Sequence, residues 1–427
     1  MRAAQQRAQP TRDAYAAQVA HADGLRRAGA HDEALRAFHA LALTYPQRSD
    51  ALNNLAAMLQ ATGHPTHALQ AVMRALELDG ANVSALQNSA EILKDFGDWD
   101  TVRATYDAAL ELRPASAELR FARALHLLTL GIWEEGWREH EQRSRVPGLP
   151  LRRTVLRSPV WDGAPLNGRH ILLDHEQGLG DQIMFARFAT DVAERGGRVT
   201  IRCSASLESM CAQIRGVSTV SCEGTAVPSH DVHASLMSLP ALLGARAPAS
   251  LSGVPYLQTS GECPAAIRDA FTRDKLNVGL VWSGNRQHRN DARRSIAPAL
   301  LAPLLNTGGV AFTTLHGGDT HMALPDELRG CVTDLGASLQ SFNDTAHVLM
   351  QLDLLVTVDT AIAHLAGALG VPTLLLLPFV PDWRWMVDRT DTPWYRSLSL
   401  IRQPALFDWH SVIDAACARV VELRDAA

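Results

Sequence analysis

Residues 359–364, Asp-Thr-Ala-Ile-Ala-His, combine a carboxylate, a hydroxyl and an imidazole at the start of a predicted helix. They follow an apolar run typical of a buried strand, and the helix extends to Gly370. Thr360 can cap this helix, and the free backbone N–H groups of its first turn favour an anion. His364 lies one turn further on and can reach the same place. The segment predicts a site for a departing diphosphate, although a lone helical histidine can also be purely structural.

Residues 176–181, Glu-Gln-Gly-Leu-Gly-Asp, lie between a predicted strand and a helix predicted over 181–194. Gly178 and Gly180 permit a tight turn and the close approach of another group to the backbone. Asp181 would act as a helix cap or as a carboxylate exposed at a cleft. The spacing is not Gly-x-Gly-x-x-Gly, and no acidic residue follows the next strand as a dinucleotide site requires. We therefore exclude a dehydrogenase.

A third polar segment, Trp-Ser-Gly-Asn at 282–285, ends a predicted strand and leads into a basic loop. Ser283 and Asn285, together with Arg289 or Arg294 from that loop, can place hydrogen-bond donors around a phosphate. An ordinary solvated loop has the same composition, so both interpretations stay open. The chain lacks Gly-x-Ser-x-Gly and any recognisable triad, which excludes a serine hydrolase of that type.

Strands and helices alternate after residue 152, and the three polar segments come directly after strands. The predicted strands are 171–174, 198–203, 217–221, 278–282, 310–315, 354–358, 373–377 and 397–401. Helices are predicted at 298–305, 341–351, 361–369 and 409–424, and 231–239 is predicted as a loop. This alternation indicates two parallel, Rossmann-like sheets that face a cleft. Ligands of such sheets bind at the carboxyl ends of the strands.

The first third of the chain repeats with a period of 34 residues. A glycine, a leucine and an alanine each recur four times in register, at Gly29, Gly63, Gly97 and Gly131, at Leu25, Leu59, Leu93 and Leu127, and at Ala22, Ala56, Ala90 and Ala124. The small residue lets two helices approach, the leucine fills the space beside it, and the glycine turns the chain between them. Stacked helical pairs of this kind form a concave surface suited to peptides.

Bulk properties exclude several classes of protein. The 427-residue chain is 47% apolar and carries a formal charge of −5, so it lacks the basic field of a nucleic-acid-binding protein. The N-terminus has no apolar signal-peptide core, and the most apolar stretch, 371–380, is too short and too interrupted by proline to cross a membrane. The six cysteines lack CxxC spacing. We expect no metal site, and reduced, buried thiols in a cytoplasmic protein.

Through its repeat positions, the first third of the chain resembles the tetratricopeptide family. Through the polar segments that follow its strands, the remainder resembles the GT-B glycosyltransferases of the heptosyltransferase-like group. That group carries Gly-Asp after its first strand, matched by Asp181, and Asp-(Ser/Thr)-Gly-x-x-His before a helix, matched by Asp359, Thr360 and His364. Ala361 replaces the usual glycine, and no lysine matches the phosphate-binding lysine of the family. The whole order resembles bacterial tetratricopeptide-containing glycosyltransferases, some of which are thought to modify proteins.

The resemblance implies an α-helical tetratricopeptide superhelix followed by an α/β GT-B fold with two Rossmann-like domains. The repeats would occupy 1–147 and a linker 148–167. An acceptor-side domain would follow at 168–262 and a nucleotide-sugar-side domain at 263–427.

The resemblance also implies a role for each candidate residue. Asp181 would be the general base. The diphosphate of the donor would contact Gly180, Ser283, Asn285, Arg294, Asp359, Thr360, Ala361 and His364. The cluster Asp-Trp-Arg-Trp at 382–385 is not typical of that group, and it indicates either a different donor or acceptor or aromatic packing beneath a loop. Contacts with the sugar or the acceptor are predicted for Gln177, His233, Asp382 and Trp385.

The predicted function is therefore transfer of a sugar from a nucleoside-diphosphate sugar to an acceptor hydroxyl, with inversion and without a metal or other cofactor. The repeat groove predicts a protein or peptide as the acceptor. The alternative is a non-catalytic scaffold whose degenerate GT-B domain still binds a nucleotide. Ala361 and the missing lysine favour that alternative, whereas the joint presence of Asp181, Asp359 and His364 favours the enzyme.

Overall fold

The computed structural model describes residues 12–152, 154–272, 274–288, 290–316 and 323–426. The chain divides into two compact units, Met1–Arg123 and Ala124–Ala427. Within the described ranges no helix is both long and apolar enough to cross a bilayer. Arg289, one of the two arginines predicted near phosphate, lies outside the described residues.

The first unit consists of helices packed in sequential pairs. They are α1 (Arg12–Arg27), α2 (His31–Thr44), α3 (Ser49–Ala61), α4 (Pro65–Leu78), α5 (Val83–Lys94), α6 (Trp99–Leu112) and α7 (Ala117–Thr129), the last of which crosses into the second unit. Ala22, Ala56 and Ala90 are fully buried, as the predicted close approach of two helices requires. Gly29 turns the chain between α1 and α2 with a left-handed backbone, φ 78°, which glycine adopts without strain.

The second unit opens with α8 (Trp133–His140), which begins 34 residues after α6 and so continues the period. Trp133 and Trp137 on this helix are each 1% exposed. Their rings pack on Trp394 from the second half of the unit, with centroids 5.2 and 6.4 Å away. The predicted end of the repeats at residue 147 therefore differs from the boundary between the compact units, which lies at 123/124. The last repeat helix shares its core with the α/β region.

The first half of the α/β region contains a four-stranded sheet of parallel pairs, in the order β3-β2-β1-β4. Its elements are β1 (His170–Asp174), α9 (Leu179–Ala186), α10 (Ala189–Glu194), β2 (Arg198–Cys203), α11 (Glu208–Cys211), β3 (Val217–Cys222), β4 (Val232–Ser235) and α12 (Leu239–Leu243). The loop predicted over 231–239 is wrong, because β4 and the start of α12 occupy it. The helix predicted over 181–194 is instead two helices, α9 and α10. They are separated by a tight turn in which the N–H of Phe188 donates to the Phe185 carbonyl at 3.2 Å.

The second half contains a six-stranded sheet, also of parallel pairs, in the order β10-β9-β8-β5-β6-β7. Its elements are α13 (Ala265–Arg268), β5 (Leu276–Val281), α14 (Asp291–Arg294), α15 (Ala302–Leu305), β6 (Val310–Thr314), α16 (Asp326–Arg329), β7 (Val332–Asp334), α17 (Phe342–Leu349), β8 (Leu354–Val358), α18 (Ala361–Leu369), β9 (Thr373–Leu377), β10 (Leu398–Arg402) and α19 (Trp409–Ala426). The two sheets confirm the predicted pair of Rossmann-like domains. All six cysteines are unpaired, and Cys203 and Cys211 are buried as expected. The other four are only partly buried, so the expectation of buried thiols is wrong for them.

Candidate active site

The two halves meet where the first turn of α9 packs against α18. Gly180 lies so close to this helix that a Cβ atom there would be 2.9 Å from Cδ2 of His364 and 3.6 Å from Cα of Ala361. A side chain at this position would therefore push His364 aside. The predicted close approach of another group to the glycine turn is confirmed, and the approaching group is the α18 motif.

Asp181 stands in the first turn of α9, whose N-cap is Gly178. Its Oδ1 accepts a hydrogen bond from the guanidinium of Arg384 in the other half. Its Oδ2 has no hydrogen-bond partner among the described residues, and the side chain is 16% exposed. One oxygen thus fixes the carboxylate while the other stays available to a hydroxyl group.

Arg384 lies in a short 3-10 turn, Trp383–Trp385, in the loop after β9. Besides Asp181 it binds Asp382, whose Oδ1 accepts from Nη1 at 2.7 Å. Burial opposes ionisation of Asp382, but Arg384 outweighs it and the pKa of that carboxyl is lowered. The loop continues through Met386 and Asp388, which both adopt left-handed backbone at φ 55°. Non-glycine residues in that region cluster at functional sites.

Thr360 occupies the N-cap position of α18, but its side chain makes no capping hydrogen bond. The predicted side-chain cap is therefore wrong. The backbone at Thr360 is extended, and the first bonds of the helix run from the N–H of Ala363 and His364 to the Thr360 carbonyl. Its Oγ1 is enclosed and has no partner among the described residues. A hydroxyl and the positive end of a helix dipole thus remain to be satisfied here.

His364 is buried beside Tyr395 and Trp385. Its Nδ1 lies 3.0 Å from the Tyr395 hydroxyl, and its ring stacks on Trp385 at 5.1 Å. Burial, assisted by the positive charge of Arg384, lowers the pKa of His364 to about 3, so the ring is neutral near pH 7. The Tyr256 hydroxyl donates to the Ile183 carbonyl at 2.7 Å.

Because the ring of His364 is neutral, it cannot supply positive charge to a diphosphate. The cations of this site are therefore arginines.

Arg294 joins the loops after β5 and β8, whose strands are neighbours in the sheet. Its Nη1 donates to the Asp359 carbonyl at 2.8 Å, and its guanidinium lies against the backbone of Gly284. Ser283 in the same loop is buried, whereas Asn285 is exposed and accepts from its own turn, Gln287 N–H, at 2.9 Å. The structure therefore brings Arg294 to the α18 motif and leaves Asn285 at the loop surface.

The Asp359 side chain adds a titratable group at this edge of the sheet. Burial, reinforced by the negative charge of Asp382, raises its pKa to about 6. A carboxyl with a pKa this close to neutrality, beside arginines, is typical of a functional site.

The residues predicted to contact the sugar or the acceptor lie in different parts of the structure. Asp382 shares the Arg384 guanidinium with Asp181, and the Trp385 ring stacks on His364. The carbonyl of Gln177 accepts from Gln182 Nε2 at 3.3 Å. His233 lies inside β4, where its Nδ1 is 2.8 Å from the Ser158 hydroxyl. Within the described part of the chain, no hydrogen bond or ion pair joins it to the other predicted site residues. These assignments stay predictions.

Arg384 is the main residue that the sequence patterns did not single out. The signal was present, because it is the basic residue of an Asp-Trp-Arg-Trp cluster directly after a strand. Only the fold brings it to Asp181, 203 residues away. Among the described residues, no cluster of three or more His, Cys, Asp or Glu side chains has the geometry to hold a metal ion.

No family model matches the chain. Protein FlbA of Caulobacter vibrioides is 26% identical over 412 residues, which cover 88% of this chain and 67% of FlbA. Among solved structures, the glycosyl transferase family 9 protein of Veillonella parvula matches 61% of this chain and 99% of its own at 13% identity, with a TM-score of 0.46. The ADP-heptose lps heptosyltransferase II of E. coli matches 60% and 100% at 13% identity, with a TM-score of 0.44.

The helical repeats have solved relatives of their own. The Yersinia enterocolitica chaperone SycD, in complex with a peptide of YopD, matches 28% of this chain and 95% of its own at 19% identity, with a TM-score of 0.25. The chain is thus similar to tetratricopeptide structures in its first third and to heptosyltransferase-like structures in the remainder. Its own helix period and sheet orders give, as predicted, tetratricopeptide-type helical pairs followed by two Rossmann-like halves in a GT-B arrangement.

Proposed function

We propose that the protein is a glycosyltransferase that moves a sugar from a nucleoside-diphosphate sugar to an acceptor hydroxyl, with inversion and without a metal. One observation carries the proposal. Asp181 from one sheet meets Arg384 from the other, beside the first turn of α18, at the carboxyl ends of both sheets. A base, a cation and a helix N-terminus thus converge in a cleft between two nucleotide-binding-type halves.

The acceptor hydroxyl approaches Oδ2 of Asp181, the oxygen that Arg384 leaves free. As the acceptor oxygen forms its bond to the anomeric carbon, its proton passes to Oδ2. The bond from the anomeric carbon to the diphosphate breaks at the same time, and its electron pair leaves with the diphosphate. Attack opposite the leaving group inverts the anomeric centre. General-base assistance of this kind contributes on the order of 10²–10⁴ in rate.

The departing diphosphate requires positive charge and hydrogen-bond donors. Arg384 and Arg294 supply the charge, and the N-terminus of α18 with the Thr360 hydroxyl supplies donors. Arginine is well suited to binding the diphosphate because its planar donors match phosphate oxygens. The neutral ring of His364 is assigned to form a hydrogen bond with a sugar hydroxyl.

For the acceptor we propose a protein, with the reaction taking place in the cytoplasm. Stacked helical pairs form a concave surface that suits extended peptides. Because the repeats belong to the same chain as the transferase, a peptide bound to them has a raised local concentration at the cleft. A small free acceptor would gain nothing from such repeats.

The proposal is tested by a screen of nucleoside-diphosphate sugars on the full chain. Calorimetry measures binding, and release of the nucleoside diphosphate measures hydrolysis or transfer. Asp181→Asn and His364→Ala test the site once a donor is found. If both variants fold and keep full activity, the site assignment is wrong.

The second candidate is a scaffold that binds a nucleotide without turnover. It is favoured by the pairing of Asp181 with Arg384, which ties up one oxygen of the only carboxylate assigned as a base. Tight nucleotide binding with no turnover of any donor and acceptor pair would establish the scaffold. Binding with turnover would exclude it.

A further inference from the structure

A buried arginine outside the sequence motifs, Arg143, lies in the 3-10 turn Glu141–Arg145 directly after α8. It is 2% exposed. Its Nε and Nη2 donate to the two carboxylate oxygens of Glu176 at 2.7 and 3.0 Å. Its Nη1 donates to Glu141 at 2.6 Å, and Nη2 also donates to the Ser238 hydroxyl at 2.8 Å. A bidentate ion pair with this many hydrogen bonds allows little movement of either side chain.

Glu176 is the first acidic residue of the loop that leads from β1 into α9. Its backbone carbonyl accepts from the N–H of Arg152 at 2.8 Å, so both its side chain and its backbone are held. Asp181 follows five residues later, in the first turn of α9. The position of Asp181 in the cleft therefore depends on where Arg143 holds the start of this loop.

Helix α8, which precedes Arg143, also contacts the element that carries Arg384, the ion-pair partner of Asp181. Trp137 of α8 packs edge-on against Trp383, with ring centroids 5.3 Å apart. The guanidinium of Arg384 lies 4.3 Å over that Trp383 ring. Residues 133–143 thus contact the element that carries Arg384 as well as the loop that carries Asp181.

His140 lies beside Arg143 and near the Trp383 ring. Its Nδ1 is 3.3 Å from Nη1 of Arg143, and its ring lies 6.2 Å from that of Trp383. Burial, with the positive charges of Arg143 and Arg384, lowers the pKa of His140 well below its usual value. The ring is therefore neutral, and Nδ1 accepts from Arg143 because a guanidinium has no lone pair to offer.

We propose that residues 133–143 are a brace of the transferase site and that Arg143 is a positioning residue. By fixing Glu176, Arg143 fixes the loop that presents Asp181 to the acceptor. The catalytic part of this inference rests on the proposed function. The last repeat helix, which the predicted boundary at residue 147 assigned to the repeats, is then part of the enzyme.

The test uses the full chain and two independent measurements. R143M removes the charge, whereas R143K keeps the charge and loses the bidentate geometry of the guanidinium. The other variants are E176Q and the R143M/E176Q double variant. Arg145→Met is the matched control, because Arg145 lies in the same turn and is exposed. Hydrogen exchange reports the loop at 176–183, and steady-state kinetics report kcat and the donor KM.

We expect R143M to speed exchange at 176–183 by about tenfold or more, since it leaves a half-buried carboxylate without its partner. We expect kcat to fall on the order of 10²-fold, because a small misplacement of the base is costly, while the donor KM stays unchanged. R143K should lie between R143M and wild type. The double variant should be no worse than the worse single one, since the pair acts as a unit.

The proposal is overturned if folded R143M has wild-type exchange at 176–183 and wild-type kcat. If R143M does not fold, E176Q breaks the same pair from its more exposed side, and wild-type behaviour of E176Q overturns the proposal equally. A wild-type protein without any transfer activity would refute the proposed function, yet faster loop exchange in R143M would still establish the brace. An effect of Arg145→Met equal to that of R143M would show that the turn is only generally sensitive.

Discussion

The first turns of α9 and α18 belong to different halves, and they differ in charge. Each follows a parallel strand, and they pack against each other at Gly180. The α9 turn carries Asp181, an ionic partner of Arg384. The α18 turn carries the unpartnered Thr360 hydroxyl and the neutral His364. The same element therefore serves two purposes: with a carboxylate it can receive a proton, and without one its dipole remains available to an anion.

Asp181→Asn removes the proton acceptor from the α9 side and gives the largest expected effect. The transfer rate should fall on the order of 10²–10⁴-fold, while binding of the donor persists because its contacts are on the α18 side. The measurement is single-turnover transfer beside calorimetric binding of the donor.

Glu194→Gln is the control, since Glu194 is an exposed carboxylate of the next helix, paired with Arg215 at 2.7 Å. It should leave the rate unchanged. A loss of donor binding equal to the loss of rate in Asp181→Asn would show that the α9 carboxylate does not work separately from the α18 side.

Arg384→Met removes the cation that connects the two turns. Asp181 and Asp382 would lose a partner in a largely enclosed site, and the free energy of unfolding should fall by about 3–5 kcal/mol. The loss of stability should be smaller in the Arg384→Met/Asp181→Asn double variant, because one of the two unpaired carboxylates is then absent. Urea denaturation measures both values.

Arg419→Met provides the comparison, because Arg419 pairs with Glu422 at 2.7 Å on an exposed helix face. That change should cost only about 0–1 kcal/mol. Equal losses in the two arginine variants would mean that Arg384 is no more than a surface ion pair.

The α18 side was predictable from the sequence to a larger extent than the α9 side. The bounds of β8 and α18 agree with their predictions, because an apolar run, a polar turn and Gly370 delimit them in the sequence itself. The helix predicted over 181–194 instead breaks at Phe188, and the pattern gives no Gly or Pro to mark that break. β4 escaped prediction because its four residues, Val232–Ser235, include only two apolar ones.

The contacts of the site were less predictable than its elements. The order of motifs on successive strands placed Asp181, Thr360 and His364 at the same edge. The partners Arg384 and Arg143 come from distant parts of the chain, 203 and 33 residues from Asp181 and Glu176 respectively. Such pairs follow from how the halves and α8 pack, and no local spacing encodes them.

Gly180→Ala tests how closely the two turns must approach. The added methyl would lie 2.9 Å from Cδ2 of His364, so the ring or the helix must shift. Overpacking of this kind costs about 1–3 kcal/mol, against a gain of up to about 1 kcal/mol from better helix propensity. We expect a net loss of stability together with weaker donor binding.

Gly308→Ala is the matched control for the loss of a glycine, because a methyl there would meet nothing within 4 Å. Its stability should be close to that of wild type. A stabilised Gly180→Ala protein with normal donor binding would show that a methyl group fits between the two turns.

The smallest expected effect concerns the pH dependence of stability on the α18 side. The pKa of His364 is about 3 in the fold against 6.5 in the unfolded chain, and that of Asp359 is about 6 against 3.8. Between about pH 4 and 6, His364 is protonated mainly in the unfolded chain, so its contribution to stability is lost as pH falls. Asp359 is protonated mainly in the folded chain, so its contribution is lost as pH rises.

These opposite contributions nearly cancel in wild type across that window. In His364→Gln the free energy of unfolding should therefore fall with rising pH relative to wild type, by up to about 1.4 kcal/mol per pH unit. Asp359→Asn should show the opposite slope, and His39→Gln, on an exposed face of α2, should follow wild type. Urea denaturation at a series of pH values in this window measures the slopes. Parallel curves for all four proteins would mean that neither buried group titrates as the fold predicts, and the neutral state assigned to His364 would have to be abandoned.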